Sequence, residues 1–346
     1  MPRTSHREDA VAASIAASTS RRGFLRAASA AAFATITLPL PRWTAAAVDR
    51  LPKAVRIGVL TDLHHDVMHD GLVRMEAFAA SMSERNPDAV LQLGDFAYPK
   101  ADNRPVIDLF NRIHDRSLHV IGNHDLDAGH TRGQCLDVWG MPSRYHDTNV
   151  AGLNLVVLDG NDQGSPSHRG GYASYVGPEQ TAWLKDRIAA LDGPIVVVSH
   201  QPLAGPGAVD NAAELQQILA AASDKVILAV NGHSHIDDVI MLAGIPFVHV
   251  NSASYYWVGG KHKHESYPAA VHEKHPWVSH TCPYRDPLFT MLTVDPETRE
   301  IRLEGCRSDW VGPSPADLGV PSGPGLGHGE EITPAIRKRR FNVPVR

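Results

Sequence analysis

The stretch Ala89-Val90-Leu91-Gln92-Leu93-Gly94-Asp95 joins an apolar run of strand length to a glycine and a carboxylate. Short runs of aliphatic and β-branched residues that end in turn-forming residues indicate buried β-strands. Further runs of this kind end in metal-capable side chains, at residues 54–64, 118–125, 195–202 and 226–235. The sequence therefore predicts five strands, each followed directly by polar groups able to carry chemistry.

Segments with helical periodicity separate these runs, at residues 72–85, 105–114, 179–191 and 212–221. Alternating strands and helices predict an α/β fold with largely parallel strand pairing. The carboxyl ends of parallel strands share one edge of a sheet, so we expect the polar ends to gather there. A single Asp or His after a strand is ordinarily a turn residue, but an ordered series of five favours a common site.

Composition narrows the class of protein. Of the 346 residues, 43% are hydrophobic and 21% are charged, which is typical of a globular chain and not of a disordered one. The formal net charge of −5 argues against bulk nucleic-acid binding, which needs a basic excess. The 20 histidines are unusual, because imidazole is the commonest metal ligand and titrates near neutral pH.

The N-terminal segment has the pattern of a targeting signal. Ser20-Arg21-Arg22-Gly23-Phe24-Leu25-Arg26 precedes an apolar stretch at residues 27–40, and Ala45-Ala46-Ala47 provides a small-residue cleavage site. The pattern resembles a twin-arginine export signal, which implies the twin-arginine export machinery as a partner and a periplasmic or extracellular location. A short membrane anchor or a disordered tail is the alternative, although about 14 apolar residues fall short of the ~20 that span a bilayer.

We therefore expect three parts in the chain. Residues 1–47 are the signal peptide, residues 48–311 form one catalytic domain, and residues 312–346 form a flexible Pro/Gly-rich tail. The tail ends in the basic run Arg337-Lys338-Arg339-Arg340, which is typical of a mobile segment or an anchor to an anionic surface. No later apolar run is long enough for a stable membrane span, so we expect a soluble product.

The cysteines indicate neither a metal site nor a definite disulfide pairing. Cys135, Cys282 and Cys306 have no metal-binding spacing, and three residues leave one unpaired in any disulfide scheme. Cys282 and Cys306 could pair after export, or all three could be isolated thiols, since a sequence does not supply the Cα separation that a bridge requires.

Five ordered blocks carry a resemblance to a known family. They are Asp62-Leu63-His64, Gly94-Asp95-Phe96-Ala97-Tyr98, Gly122-Asn123-His124-Asp125, Val198-Ser199-His200 and Gly232-His233-Ser234-His235. This series resembles the calcineurin-like metallophosphoesterases. The resemblance implies an αββα sandwich of two mixed β-sheets flanked by helices, with residues 245–250, 288–294 and 300–303 in its second sheet.

The same resemblance implies a dinuclear metal centre. One ion would be held by Asp62, His64, Asp95 and His235, and the second by Asp95, Asn123, His200 and His233. Asp95 would bridge the two. Oxygen and imidazole ligands without thiolates suit first-row ions such as Mn, Fe, Zn or Co. A bridging hydroxide, and not a protein side chain, would then be the nucleophile that attacks phosphorus.

His124 is left without a metal, so the resemblance implies that it is catalytic and touches the leaving-group oxygen or the developing phosphoryl charge. Asp125 would orient its imidazole; packing of His124 beneath the site is the alternative. Tyr98 stands where purple acid phosphatases carry a ferric-binding tyrosine, but His64 competes for that position. We expect His64 to be the ligand and Tyr98 to pack beside the site.

Residues 252–283 have the composition of a long loop that could form a lid or a pocket wall. The triplet Tyr255-Tyr256-Trp257 could equally pack against the core or stack on a substrate base. For the histidines of this segment we expect solvated, neutral loop positions, at His262, His264, His272, His275 and His280.

The function expected from these observations is metal-dependent hydrolysis of phosphoester bonds in small molecules. Phosphodiesters of the cyclic nucleotide or glycerophosphodiester type are the preferred substrates, because Asp62-Leu63-His64 resembles that branch of the family. An exported phosphomonoesterase, similar to acid or alkaline phosphatases, is the alternative. An alternative of another class is a catalytically silent metal-binding or interaction protein on the same fold.

Overall fold

The computed structural model describes residues 45–321, 326 and 329–343. The twin-arginine pattern and the apolar stretch after it lie outside these residues. Within the described part of the chain, none of the helices has the length and apolar character needed to cross a membrane.

Two six-stranded mixed sheets form the centre of the described fold. The first contains, in spatial order, β16 (Arg339–Asn342), β13 (Glu300–Leu303), β12 (Thr290–Asp295), β1 (Val55–Leu60), β2 (Ala89–Gln92) and β3 (Ser117–His119). The second contains β4 (His146–Val150), β5 (Leu153–Val157), β6 (Ile195–Ser199), β7 (Val226–Asn231), β9 (Ile245–His249) and β8 (Asp238–Leu242). Parallel pairing joins β1, β2 and β3 in turn in the first sheet, and joins β5, β6, β7 and β9 in turn in the second.

Shorter elements complete the fold. Two ribbons pair β10 (Tyr255–Trp257) with β11 (Thr281–Pro283), and β14 (Cys306–Arg307) with β15 (Ala335–Ile336). The α-helices are α1 (Ala45–Val48), α2 (Gly71–Arg85), α3 (Arg104–Asn111), α4 (Arg132–Trp139), α5 (Pro178–Ala190), α6 (Ala212–Ala221) and α7 (Ala269–Lys274). The 3-10 helices are Ala101–Asn103, His124–Gly129, Gly260–His262 and Pro276–His280.

The sheets pack face to face and helices cover both outer surfaces. Val59 of β1 and Val198 of β6 belong to the core between the sheets. Phe78 of α2 and Phe110 of α3 pack, together with α4, against the outer face of the first sheet. Leu184 of α5 packs with α6 against the outer face of the second. These four layers are the αββα sandwich that the resemblance implies, and the prediction of the fold class is confirmed.

Local patterns explain why these segments form these elements. All five residues of β6 are buried, because a parallel strand with a covered surface on each side reads as a continuous apolar run. Met75, Phe78 and Met82 of α2 are buried on one face at helical spacing. Thr131 begins α4 with a capping box to Gln134, which satisfies two backbone groups at the helix start.

The assignment of the later strands to the second sheet is wrong in part. The prediction holds for β9, but β12 and β13 extend the first sheet. β12 lies antiparallel to β1, with Val294 opposite Val55. An apolar strand fits either sheet of such a sandwich, so its composition does not reveal which partner it pairs with.

The prediction of a flexible C-terminal tail is wrong for residues 335–343. β16 is an edge strand of the first sheet, where Asn342 lies opposite Glu300. Arg337 and Arg339 both bind the buried carboxylate of Asp237, Arg339 with an Nη2–Oδ2 distance of 2.9 Å. The basic run resembles a mobile tail in the sequence because this acidic partner lies far away along the chain.

The segment at residues 252–283 contains the antiparallel ribbon of β10 and β11, helix α7 and two 3-10 helices. The expectation of one long loop is therefore wrong. Tyr255 is buried, whereas Trp257 is 43% exposed. Cys135, Cys282 and Cys306 are free thiols, which agrees with the isolated-thiol alternative.

Candidate metal centre

The carboxyl ends of strands from both sheets meet at one edge of the sandwich. Asp62 and His64 follow β1, Asp95 follows β2, and Asn123 follows β3 in the first sheet. From the second sheet, His200 follows β6, and His233 and His235 follow β7. Two groups of three side chains converge there, each with ligand atoms within 4.8 Å of one another: Asp62, His64 and His235, and Asp95, His200 and His233.

Asp95 faces both groups with one carboxylate oxygen. Its Oδ2 lies 3.1 Å from Nε2 of His200 and 3.6 Å from Nε2 of His64. Its other oxygen, Oδ1, accepts a hydrogen bond of 2.8 Å from the backbone N–H of His124. This position suits a bridge between two cations.

Backbone carbonyls set the orientation of two ligand imidazoles. The Nδ1–H of His200 donates to the carbonyl oxygen of Leu93, and the Nδ1–H of His235 donates to that of Tyr255, each at 2.8 Å. A carbonyl can only accept, so in the neutral form of each ring Nε2 carries the lone pair and points into the centre.

The Nε2 atoms of His200 and His235 lie close to other hydrogen-bond acceptors. Nε2 of His200 lies 3.2 Å from the amide oxygen of Asn123, and Nε2 of His235 lies 3.2 Å from Oδ1 of Asp62 and 3.1 Å from Nε2 of His64. Converging lone pairs repel one another unless a cation lies between them. The donor set of carboxylates, imidazoles and one amide oxygen fits two first-row metal ions.

The ionisation of the site agrees with metal binding. Burial raises the pKa of Asp62, but His235 and His200 outweigh it and bring the pKa to about 2. Burial likewise opposes ionisation of Asp95, yet His200 and His124 hold its pKa well below the usual range. Burial lowers the pKa of His64 to about 3. At neutral pH these groups are carboxylates and a neutral imidazole, the forms that bind metals.

His200 is the exception among the imidazoles. Burial lowers its pKa, but the adjacent carboxylate of Asp95 more than compensates and raises the pKa to about 9. A proton therefore competes with a metal ion for Nε2 of His200.

The backbone at the site is held in a conformation that side chains rarely adopt. Asp62, His64, Asp95, His233 and His235 have φ between 46° and 69°, and they are half of the non-glycine residues with positive φ in the described chain. Such backbone is strained for residues with a Cβ and persists where the surrounding structure enforces it.

Gly232 allows two of the strand ends to approach closely. A Cβ on this residue would lie 2.0 Å from Oγ1 of Thr61 and 2.5 Å from Oδ2 of Asp62. The backbone N–H of the next residue, His233, donates to both carboxylate oxygens of Asp62, at 3.2 and 3.0 Å. The glycine of the Gly-His-x-His block thus brings the two halves of the site together.

The predicted role of Asp125 is wrong. Its carboxylate accepts the backbone N–H groups of Asp95, Phe96 and Gly122 at 2.8 to 2.9 Å, and thereby shapes the loop that carries Asp95. None of these contacts involves the imidazole of His124. Asp125 directly follows His124 in the sequence, and adjacency suggested a contact that the turn geometry does not make.

Asp127 orients His124 instead. Oδ2 of Asp127 lies 2.7 Å from Nδ1 of His124, and the hydroxyl of Tyr172 donates to the same carboxylate oxygen at 3.0 Å. Burial lowers the pKa of His124, but Asp95 and Asp127 outweigh it and raise the pKa. The three-residue spacing from His124 to Asp127 was the available sequence signal, whereas the distant Tyr172 gave none.

A cavity of about 480 Å³ opens above the metal-binding groups. His124, Asp127, Tyr98 and Tyr172 lie on its wall, together with aromatic residues of the segment that contains β10. Burial raises the pKa of Tyr98 to about 12, so its side chain is a neutral phenol. Tyr98 lies beside the site as expected, and that it binds no metal ion stays a prediction.

The histidines predicted at loop positions lie apart from both metal-binding groups. None of His262, His264, His272, His275 and His280 belongs to either group in the described chain. His280 is 8% exposed and packs between aromatic rings, so it is not solvated as expected. Its place beside the exposed Trp257 could not be predicted from spacing.

Comparison with known proteins identifies the family of the chain. The family model described as calcineurin-like phosphoesterase matches residues 55–237, a range that contains all seven candidate ligands, His124 and Asp127. No curated protein is significantly similar to the chain.

Two solved structures share the fold at low identity. A dimetal phosphatase from Danio rerio is 12% identical, with 75% of this chain and 99% of that chain covered and a TM-score of 0.52. GAP50, described as the anchor in the inner membrane complex of Plasmodium, is 13% identical, with 85% and 90% covered and a TM-score of 0.52. The family model spans more than half of the chain and includes every side chain that converges at the sheet edge, so this chain belongs to the calcineurin-like phosphoesterases.

Proposed function

We propose that this protein is an exported phosphodiesterase that acts on small phosphodiesters of the cyclic nucleotide or glycerophosphodiester type. The coarser activity, metal-dependent hydrolysis of a phosphoester at a dinuclear site, follows from the family and from the two groups of ligands. The more specific proposal of a diester substrate is supported by the charge of the residues that line the cavity.

The residues that would hold the ions are those whose acceptor atoms converge. Asp62, His64, Asp95 and His235 would hold one ion, and Asp95, Asn123, His200 and His233 the other. Bound ions of Mn, Fe, Zn or Co supply Lewis acidity toward a phosphoryl oxygen and toward water. The protein contributes the anionic carboxylates, the fixed imidazole orientations and the shared oxygen of Asp95.

His124 is placed to act on the substrate. Its Nδ1 is engaged by Asp127, so Nε2 is the ring nitrogen left for a group in the cavity. A protonated Nε2 donates a hydrogen bond to a phosphoryl oxygen, or its proton to the leaving-group oxygen. Asp127 stabilises the protonated imidazole and holds its orientation.

The charge of the cavity favours a diester. None of the described residues that line it is a lysine or arginine, and the carboxylate of Asp127 is part of its wall. A phosphomonoester carries about −1.5 to −2 charges at pH 7, whereas a diester carries one negative charge. Since only the metal ions and a protonated His124 would offset the substrate's charge, and Asp127 adds a negative charge, the less charged diester fits better.

The decisive experiment compares the two ester classes on the same protein. The full chain is stripped of metal, reloaded separately with Mn, Fe, Zn or Co, and assayed with bis(p-nitrophenyl) phosphate and with p-nitrophenyl phosphate. We expect metal-dependent diester hydrolysis that is lost in Asp95→Ala. Monoester hydrolysis alone would instead assign the protein to the phosphatases.

A silent protein on this fold would give a different result. GAP50 is described as an anchor, and an interaction role is the corresponding alternative for this chain. Two bound metal ions without hydrolysis of either ester would favour it.

Export is tested separately. We propose that Arg21 and Arg22 direct export. The Arg21→Lys/Arg22→Lys variant should accumulate inside the cell, while the unchanged chain is recovered outside the cytoplasm. Equal distribution of the two proteins would contradict the proposal.

A further inference from the structure

Exposed aromatic side chains are concentrated at the candidate metal centre. The large hydrophobic side chains exposed in the described chain are Val73, Tyr172, Met241, Trp257 and Trp277. The three aromatic ones, Tyr172, Trp257 and Trp277, all line the cavity above the metal ligands. Grouped apolar side chains that stay in water mark a binding surface more often than scattered ones do.

The two tryptophans are held by ordered structure. Trp257 ends β10 and lies opposite Thr281 of β11, and Trp277 is part of the 3-10 helix that precedes β11. The ring of His280 stacks on Trp257 with centroids 5.4 Å apart and planes 5° apart, and lies 4.9 Å from Trp277. A binding site built on supported rings needs little ordering when the ligand arrives.

Aromatic rings connect this surface to the metal ligands. The ring of Tyr255 lies 4.9 Å from those of His64 and His235, and 6.4 Å from that of Trp257. Trp257 and Trp277 are a further 6.4 Å apart. A phosphoester whose phosphorus lies at the metal centre would therefore extend its organic part along these rings.

The geometry and charge of the surface select the kind of organic group. His280 covers one face of Trp257 with a nearly parallel ring, so a second flat ring on the opposite face continues the stack. The planes of Trp257 and Trp277 differ by only 34°, unlike the steeply angled rings of a cage around a quaternary ammonium group. The absence of lysine and arginine among the described lining residues disfavours an additional phosphate.

We propose that Trp257 and Trp277 form a subsite for the heteroaromatic base of a nucleotide-type phosphoester. The inference rests on the proposed phosphoesterase function and selects the nucleotide type from the two substrate types proposed there. Stacking of one base on an aromatic side chain corresponds to about a 10- to 100-fold effect on affinity.

The test uses full-length, metal-loaded protein and two matched esters. Adenosine 2′,3′-cyclic phosphate carries a base, and 1-O-methylribofuranose 2′,3′-cyclic phosphate lacks it. We expect Trp257→Ala and Trp277→Ala each to lower the ratio of kcat/KM for the first ester to that for the second by about 10- to 100-fold, mainly through KM. Trp257→Phe should retain most of the ratio.

Met241→Ala is the matched control, because Met241 is an exposed large side chain on β8 that does not line the cavity. This control should leave the ratio unchanged. Equal losses with both esters in the tryptophan variants would overturn the proposal. So would a selective loss of activity on glycerophosphocholine, which would indicate a cation subsite.

A binding measurement separates this inference from the proposed function. Adenosine 5′-monophosphate should quench the tryptophan fluorescence of the metal-loaded protein in a saturable way, and Trp257→Ala should weaken the binding by about 10-fold or more. Quenching without hydrolysis of any ester would contradict the phosphoesterase proposal and support the base subsite. Hydrolysis of the base-free ester without saturable quenching would overturn the subsite alone.

Discussion

Asp127, and not the adjacent Asp125, holds the imidazole of His124, with Oδ2 of Asp127 2.7 Å from Nδ1 of His124. The hydroxyl of Tyr172 shares that carboxylate oxygen. Asp125 and Asp127 thus have separate tasks: Asp127 binds the imidazole of His124, and Asp125 binds the backbone around the metal ligand Asp95.

Removal of the Asp127 carboxylate should impair turnover while metal binding is retained. We expect Asp127→Asn to lower kcat about 10- to 100-fold, because the imidazole loses the charge that keeps it protonated and oriented. Steady-state kinetics and metal content measured on the same sample check this. A parallel loss of metal would contradict the separation of roles, and Tyr172→Phe serves as a milder variant.

Asp125 should act on stability instead. Asp125→Ala leaves three buried backbone N–H groups, of Asp95, Phe96 and Gly122, without their acceptor. We expect the free energy of unfolding to fall by about 3 kcal/mol or more, since each unsatisfied buried donor costs about 1–3 kcal/mol. Urea denaturation of the metal-free protein measures it; an unchanged midpoint would show that the loop does not need this carboxylate.

Gly232 should be intolerant of a methyl group. In Gly232→Ala the new Cβ would meet Thr61 and Asp62, so Asp62 must move and metal affinity should fall about 10- to 100-fold. Calorimetric titration of the stripped protein with Mn or Zn tests this. Gly133→Ala in α4 is the matched control, because a Cβ there has only Oγ1 of Thr131 nearby, at 3.8 Å, and should not alter the affinity.

A buried histidine away from the metal centre should make stability depend on pH. His119 donates from Nε2 to Asn111 at 2.7 Å, its Nδ1 lies 3.1 Å from the amide nitrogen of Gln92, and burial lowers its pKa to about 3. The folded protein thus favours neutral His119, and this contribution is complete above pH 6.5 and lost as the pH falls toward 3.

The matching measurement is urea unfolding at pH 7 and pH 5 for the unchanged protein and for His119→Gln. Between these pH values, the free energy of unfolding of the unchanged protein should fall by about 2 kcal/mol more than that of the variant. The reason is that His119 takes up a proton with a pKa near 6.5 in the unfolded chain, whereas in the folded chain it stays neutral at pH 5. Equal losses in the two proteins would show that His119 takes up a proton without unfolding.

The sequence predicted the part of the site that depends on strand ends. The runs before Asp62, Asp95 and His200 are short and apolar, and each places its polar residue at the sheet edge. Parallel pairing then brings the ends together, as expected. The left-handed backbone of residues such as His64 was not predictable, because surrounding contacts, and not local preference, enforce it.

Features that depend on distant pairing were missed. Arg337 and Arg339 of the basic run bind Asp237, and Tyr172 reaches His124 from a separate loop. Both contacts join residues far apart in sequence, where neither periodicity nor spacing carries a signal. The sheet assignment of β12 failed for the same reason, since an apolar strand does not specify its partner.

The pairing of β1 with β12 also affects the order in which parts of the first sheet can fold. β1, the strand that precedes Asp62, pairs on one side with β2, which is synthesised soon after it. On its other side it pairs with β12, which comes from the opposite end of the domain. Contacts between such distant segments slow folding, because a long loop must close before they form. We therefore expect the first sheet to keep an open edge beside β1 during synthesis until residues 290–295 have emerged from the ribosome. We expect metal uptake to follow this late closure and so to mark the end of folding.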